Sequence, residues 1–285
     1  MPHDQMTMSP PPSDMQQAEA ALSARYGADQ VAPPSWNSVL ETLMTHRSVR
    51  AYLTDPLPPG TTELLVAAAQ SAATSSNMQT WSVVAVQDQA RRDRLAVLAG
   101  DQGHISRAPL FLLFLADLSR ADRIGAAHGL TMAGTPYTES FMVALIDASL
   151  AAQNATVAAE SIGLGTVYIG SMRNYPETVA AEVGLPPNCM VAFGLCVGRP
   201  DPAYPSSVKP RLPQSMILHH EHYDASHDTK GLADYEATFI AFQKKEGLRP
   251  SGWISRVIDR LGTVAGIGGR ERMRDALKSL GIPLA

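Results

Sequence analysis

Cysteine is scarce in this chain: only Cys189 and Cys196 occur among 285 residues. Their spacing matches no zinc or redox motif, and the apolar residues around them read as a buried strand. Both are therefore expected to be small core hydrophobes, which suits a reducing, cytoplasmic setting. Long apolar runs are missing too. The longest, Ala108 to Ala116, stops at Asp117 and is too short to span a bilayer. No cationic start precedes an apolar run and Asp4 lies near the beginning, so no secretory signal is expected. The net charge of −4 is mild and argues against a general nucleic-acid binder or a membrane-surface protein.

Familiar catalytic patterns are also lacking. Gly163, Gly165 and Gly170 do not have the G-x-G-x-x-G spacing and follow a helical pattern instead of a strand, which excludes a dinucleotide fingerprint. Gly262, Gly266, Gly268 and Gly269 lack the Lys-Ser/Thr of a phosphate loop and read as a bend between helices. His219, His220 and His222 beside Glu221 are too close in sequence to converge readily on one ion, so they read as a solvated surface run. No Ser lies in a nucleophile-elbow sequence. No nucleophilic catalyst is visible.

What is present is a soluble α+β pattern. Residues 1–34, rich in Met, Pro, Gln, Ser and Ala, offer a marginal helix at Met15 to Tyr26 and read as a whole as a mobile arm or partner-wrapping extension. A core over residues 35–228 and a helical C-terminal extension over residues 229–285 are expected to follow. Ser35 is the expected N-cap of a short helix ending near Thr45. Thr61 to Ala73 has helical spacing, and Trp81 to Val86 reads as a strand. Asp88 is expected to cap a helix reaching about Ala99, with a loop at residues 100–104 after it. Leu110 to Leu115, Thr166 to Ile169 and Met190 to Val197 read as further strands. Thr138 to Ile162 is a helix greasy nearly all round, as a central or interface helix would be, with Asp147, Gln153, Asn154 and Glu160 as polar exceptions. Pro176 opens a short helix that Gly184 closes. Strands among helices without a regular βαβ rhythm indicate a layered α+β fold.

The most concentrated chemistry is His46-Arg47-Ser48-Val49-Arg50, where a helix hands over to an extended segment. Read alone, it is either a charged helix end or a phosphate clamp built from Arg forks and a Ser donor. Other polar groups occur at Thr74-Ser75-Ser76-Asn77-Met78-Gln79, at Tyr168-Ile169-Gly170-Ser171 with Arg173, and at Lys209-Pro210-Arg211. Together they would suit a flat, anionic, partly polar ligand.

These pieces, in this order, resemble the FMN-dependent nitroreductase and NAD(P)H:flavin oxidoreductase superfamily, in particular the oxygen-insensitive NADPH nitroreductase subgroup with a C-terminal helical extension. The matching stretches are His46 to Arg50, Ala69 to Gln79 with Trp81-Ser82, the Gln102 loop, Gly163 to Asn174, Phe193 to Gly198 and Lys209 to Pro213. The resemblance implies a central mixed, mainly antiparallel sheet flanked by helices in an intertwined homodimer. It implies that FMN is held by His46, Arg47, Ser48, Lys209 and Arg211 at the phosphate and ribityl end, with Arg50 at the pyrimidine side of the ring. It also implies contacts from Gln102, Thr74, Ser75, Ser76 and Gln79 of the partner subunit. Backbone around Tyr168, Ile169, Gly170 and Ser171 would lie near the ring, with Arg173 stiffening that loop. No metal and no side-chain catalyst are expected, because the flavin carries the chemistry. NADPH or NADH would donate electrons, and a small nitroaromatic, quinone or free flavin would accept them. A non-catalytic flavin-binding or redox-sensing protein, and a specialised dehalogenase or ene-type reductase, are the alternatives. Ser171 stands where the family commonly has a second glycine. Lys230, Lys244, Lys245 and Arg249 are candidates for the NADPH 2′-phosphate.

Overall fold

A computed structural model describes residues 12–27 and 32–285. The chain divides into two compact units. One comprises residues up to Arg47 together with Ser207–Gly266, and the other Ser48–Ser206 together with Ile267–Ala285.

The larger unit is built on a four-stranded sheet of β1 (Trp81–Val86), β2 (Leu110–Asp117), β3 (Gly165–Ile169) and β4 (Cys189–Gly198). Its order is β1-β2-β4-β3, and every strand pair is antiparallel. Among the described residues, the sheet expected to be mixed gains a parallel element only through the isolated bridge between Ser48 and Thr166. The central strand β2 is buried along its whole length because both faces are covered. Phe111, Leu113 and Leu115 enter one apolar cluster, while Leu110, Leu112 and Phe114 enter the other. This two-residue alternation between faces turns a continuous apolar run into two cores. Gly194 on β4 exists for packing: a Cβ there would lie 2.3 Å from Cζ of Phe111.

Helix α3 (Thr61–Gln70) and the long helix α7 (Thr138–Ser161) cover one face. Ala148, Ala151, Ala152, Ala155 and Ala159 let α7 approach closely. Among the described residues, α7 is the one helix long and apolar enough to cross a membrane, and here its Ala-rich side packs in the core. The opposite face carries α4 (Gln89–Leu98), α5 (Gly103–Arg107) and α8 (Pro176–Glu182). Asp88 caps α4, its side chain accepting from the Arg91 amide at 2.8 Å. Helix α6 (Ser119–Ala127) follows β2, and α11 (Met273–Ser279) adds Leu277 to a small cluster with Met190 and Ile282. Neither the short helix α5 within the expected loop region nor α6 follows from the apolar pattern.

The smaller unit contains α1 (Pro12–Tyr26), α2 (Ser38–Met44), α9 (His227–Lys245) and α10 (Gly252–Leu261). Two corrections arise here. The N-terminal segment expected to be a mobile arm includes a helix, α1, whose Ala18 and Leu22 are buried with Trp36. The cap of α2 is Asn37 and not Ser35, for the Asn37 side chain accepts from the Leu40 amide at 3.0 Å. The rest of the expected arm, residues 1–11 and 28–31, lies outside the described residues.

Candidate functional site

In the larger unit, the segment from Ser48 to Tyr52 touches the sheet at two isolated bridges, a parallel one from Ser48 to Thr166 of β3 and an antiparallel one from Tyr52 to Pro200 beyond β4. The Val49 amide donates to the Thr166 carbonyl at 2.9 Å. Val49 is buried against Gly165, where a Cβ would come within 2.6 Å of its side chain. Tyr52 is buried too, and its hydroxyl donates to the Val49 carbonyl at 2.6 Å. With Val49 turned inward, Ser48 and Arg50 point outward and line a cleft of about 500 Å³ with Arg107, Asp201 and Tyr204. Arg107, at the end of α5, is a second cation that the sequence pattern does not single out.

Two guanidinium groups, Arg50 and Arg107, meet one acid, Asp201, on the walls of this cleft. His104 on α5 has its pKa lowered to about 4, first by burial and then by Arg50 and Arg107. Its Nε2 is buried without a hydrogen-bond partner among the described residues. Hydroxyl and guanidinium donors around a cleft are the donor chemistry that an anionic, oxygen-rich group such as a flavin phosphate requires. The residues fit FMN in that sense.

The other expected contact residues form two bonded groups. In the first, Gln102 Nε2 donates to Ser171 Oγ at 2.6 Å and to the Ala99 carbonyl at 2.9 Å. This joins the loop before α5 to the 3-10 turn Gly170–Arg173 that follows β3. The Ser171 side chain is buried and engaged by Gln102. Arg173 donates to the Ala192 carbonyl, and its guanidinium lies over Gly170, where a Cβ would be 3.4 Å from Nη2. Ile169 is buried, while Tyr168 is partly exposed, edge-on to Phe193 and donating to Gln153 Oε1 at 3.4 Å.

In the second group, the polar loop is anchored by Asp147 of α7, a buried carboxylate. Thr74 Oγ1 donates to it at 2.6 Å, the Ser75 amide at 3.1 Å, and both the amide and hydroxyl of Thr80 at 3.1 Å. Thr74 Oγ1 also accepts from the Gln79 amide at 3.0 Å. Ser76, Asn77 and Gln79 adopt left-handed backbone, with φ of 50°, 55° and 51°. Ser75, Ser76 and Gln79 are exposed.

In the smaller unit, Arg25 of α1 is buried, and its guanidinium donates to the carbonyls of Met44 (2.7 Å), His46 (2.9 Å) and Lys209 (3.2 Å). The Arg211 amide donates to the Arg25 carbonyl at 2.9 Å. His46, Lys209 and Arg211 are thereby brought together, and Arg47 is exposed beside His46. Lys209 and Arg211 line a cavity of about 720 Å³ with Tyr26, Tyr235, Phe239 and Trp253. No sequence signal marks Arg25, whereas Asp147 is visible as a charge inside an apolar helix.

Residues 43–199 match the Nitroreductase family, and residues 209–285 match the Nitroreductase family, C-terminal domain. The chain belongs to the nitroreductase family. It is 36% identical over 228 residues to the FMN reductase (NADPH) of Bacillus subtilis strain 168, covering 78% of this chain and 91% of that protein. It is 36% identical over 208 residues to the oxygen-insensitive NADPH nitroreductase of Salmonella typhimurium strain LT2, covering 73% and 83%. The solved structure of B. megaterium NfrA2 superposes with a TM-score of 0.81 at 35% identity, covering 87% of this chain and 99% of that one. Family membership accounts for the layered α+β architecture. Among the described residues no group of three His, Cys, Asp or Glu side chains could hold a metal. His219 accepts instead from the Asp224 amide at 3.2 Å and lies against the Tyr223 and His227 rings.

Proposed function

We propose that this chain is an FMN-dependent oxidoreductase that takes electrons from NADPH or NADH and passes them, two at a time, to a small acceptor such as a nitroaromatic, a quinone or free flavin. The observation that carries this reading is the cationic cleft with Ser48, Arg50 and Arg107 on its walls. The named activities of the relatives support it. When bound, FMN supplies hydride acceptance and donation.

The chain's own residues bind and orient. Arg50 and Arg107 offer guanidinium forks to ligand oxygens, and Ser48 adds a neutral donor. His46, Arg47, Lys209 and Arg211 supply further donors for the phosphate end. The Gln102–Ser171 bond and the Arg173 contact to Ala192 hold the backbone at Ile169 and Gly170 in one conformation for the ring. With these groups positioned beforehand, little reorganisation is needed when charge develops on a bound ligand.

The enzyme works as a cytoplasmic homodimer in this reading, with the exposed Ser75, Ser76 and Gln79 serving the partner's cofactor. The exposed residues Met142, Ile146 and Leu150, spaced along one side of α7, support a second copy as the cover for this helix.

The test is anaerobic. Purified protein should be yellow, absorb near ~450 nm through its flavin, bleach with NADPH or NADH, and regain colour with an acceptor. Colourless protein that FMN cannot reconstitute overturns the reading. Bound flavin without turnover favours a redox-sensing role, and product analysis separates a dehalogenase or ene-type reductase.

A further inference from the structure

We infer that Arg25, on the N-terminal helix α1, is a positioning residue for the phosphate end of the FMN site, an inference that rests on the cofactor reading above. Arg25 precedes both family-matched stretches, residues 43–199 and 209–285. Its segment is nevertheless built into the ligand-binding backbone. One guanidinium bonds to the carbonyls of Met44, His46 and Lys209, and the Arg25 carbonyl receives the Arg211 amide. Two segments distant in sequence, each carrying clamp residues, are thus tied to one planar group with fixed donor directions.

The electrostatics point the same way. Met44 is the last residue of α2, so its carbonyl belongs to the negative end of that helix. A helix end of this polarity opposes an incoming phosphate. Arg25 places a full positive charge on that carbonyl and engages two neighbouring carbonyls, His46 and Lys209, in the same way. The backbone is thereby compensated, and the clamp side chains are left to meet the ligand. The N-terminal helix then has a role inside the protomer, as a brace for the cofactor site.

The experiment uses the full chain freed of flavin and measures FMN and riboflavin affinity by fluorescence quenching for wild type, Arg25→Gln and Arg25→Lys. Riboflavin lacks the phosphate, so it reports on the ring and ribityl contacts alone. Arg25→Gln should weaken FMN by about tenfold to a hundredfold, the size expected for hydrogen bonds from a charged group, and change riboflavin far less. Arg25→Lys keeps the charge but not the fork, and should recover part of the FMN affinity. If Arg25→Gln does not fold, Arg25→Lys alone decides, and a loss for FMN greater than for riboflavin supports the brace. Wild-type FMN affinity in the folded variants, or equal losses for the two flavins, overturns the inference. Wild-type protein that binds no FMN overturns the cofactor reading instead.

Discussion

The cationic stretch at residues 46–50 and the polar loop at residues 74–80 both present exposed groups, yet they are secured in opposite ways. The loop offers N–H and O–H donors inward, and a buried carboxylate, Asp147, collects four of them. Around His46 the backbone offers carbonyls instead, and a buried guanidinium, Arg25, collects three. In each case a single charged side chain fixes several backbone or hydroxyl groups that would otherwise wander among conformations. The difference lies in what remains on the surface: hydroxyls and amides in one case, cations in the other. A buried charge is tolerated where several hydrogen bonds compensate it, and Asp147 with four and Arg25 with three both have them.

The largest effect should come from removing the acidic anchor. Asp147→Ala leaves four donors without their acceptor, and urea unfolding should show a loss of about 3 kcal/mol or more. Hydrogen exchange should quicken at Ser75, Gln79 and Thr80, and unchanged protection there would mean that the loop is held by something else. Thr74→Val removes one spoke of the same wheel and should cost about 1–2 kcal/mol in the same measurement. On the cationic side, Arg50→Ala should change stability by less than about 0.5 kcal/mol, because the side chain is exposed. FMN binding should weaken by about tenfold. An unchanged dissociation constant would remove Arg50 from the site.

The smallest effect is a pH dependence. His104 has its pKa lowered from 6.5 to about 4 in the native protein, so the unfolded chain takes up this proton first as pH falls. The histidine's contribution to stability is complete above pH 6.5 and declines as pH drops towards 4. His104→Asn should flatten the unfolding midpoint over that window, and a profile as steep as wild type would assign the acid sensitivity to other groups.

Local patterns made much of the fold legible. The β1 strand and the Asp88-capped helix stand where composition and periodicity put them, because neighbours along the chain determine both. The apolar helix α7 was legible down to its exceptions. Asp147 anchors the polar loop, and Gln153 receives the Tyr168 hydroxyl. Asn154 donates to the Ala68 carbonyl, and Glu160 accepts from Thr166. A polar residue on a greasy helix therefore marks a partner elsewhere, although spacing alone does not name that partner. Arg25 and Arg107 carry no local sequence signal, because the groups they act with lie far away in sequence. The Ser35 expectation failed by two positions, since Ser, Thr, Asp and Asn are all competent caps and the helix start chose Asn37. The N-terminal helix is only marginal in sequence for a related reason: its composition is weakly amphipathic, and the contacts that hold it, to Trp36 and through Arg25, are made with distant residues.

The parallel bridge between Ser48 and Thr166 gives the cationic stretch a reading frame. In an extended segment successive side chains alternate sides, so Val49 faces Gly165 while Ser48 and Arg50 face the cleft. One residue inserted between Ser48 and Val49 would exchange those faces, sending a charged group towards the core and an apolar one towards water. The stretch should accordingly tolerate many single replacements at its exposed positions and almost no change in length.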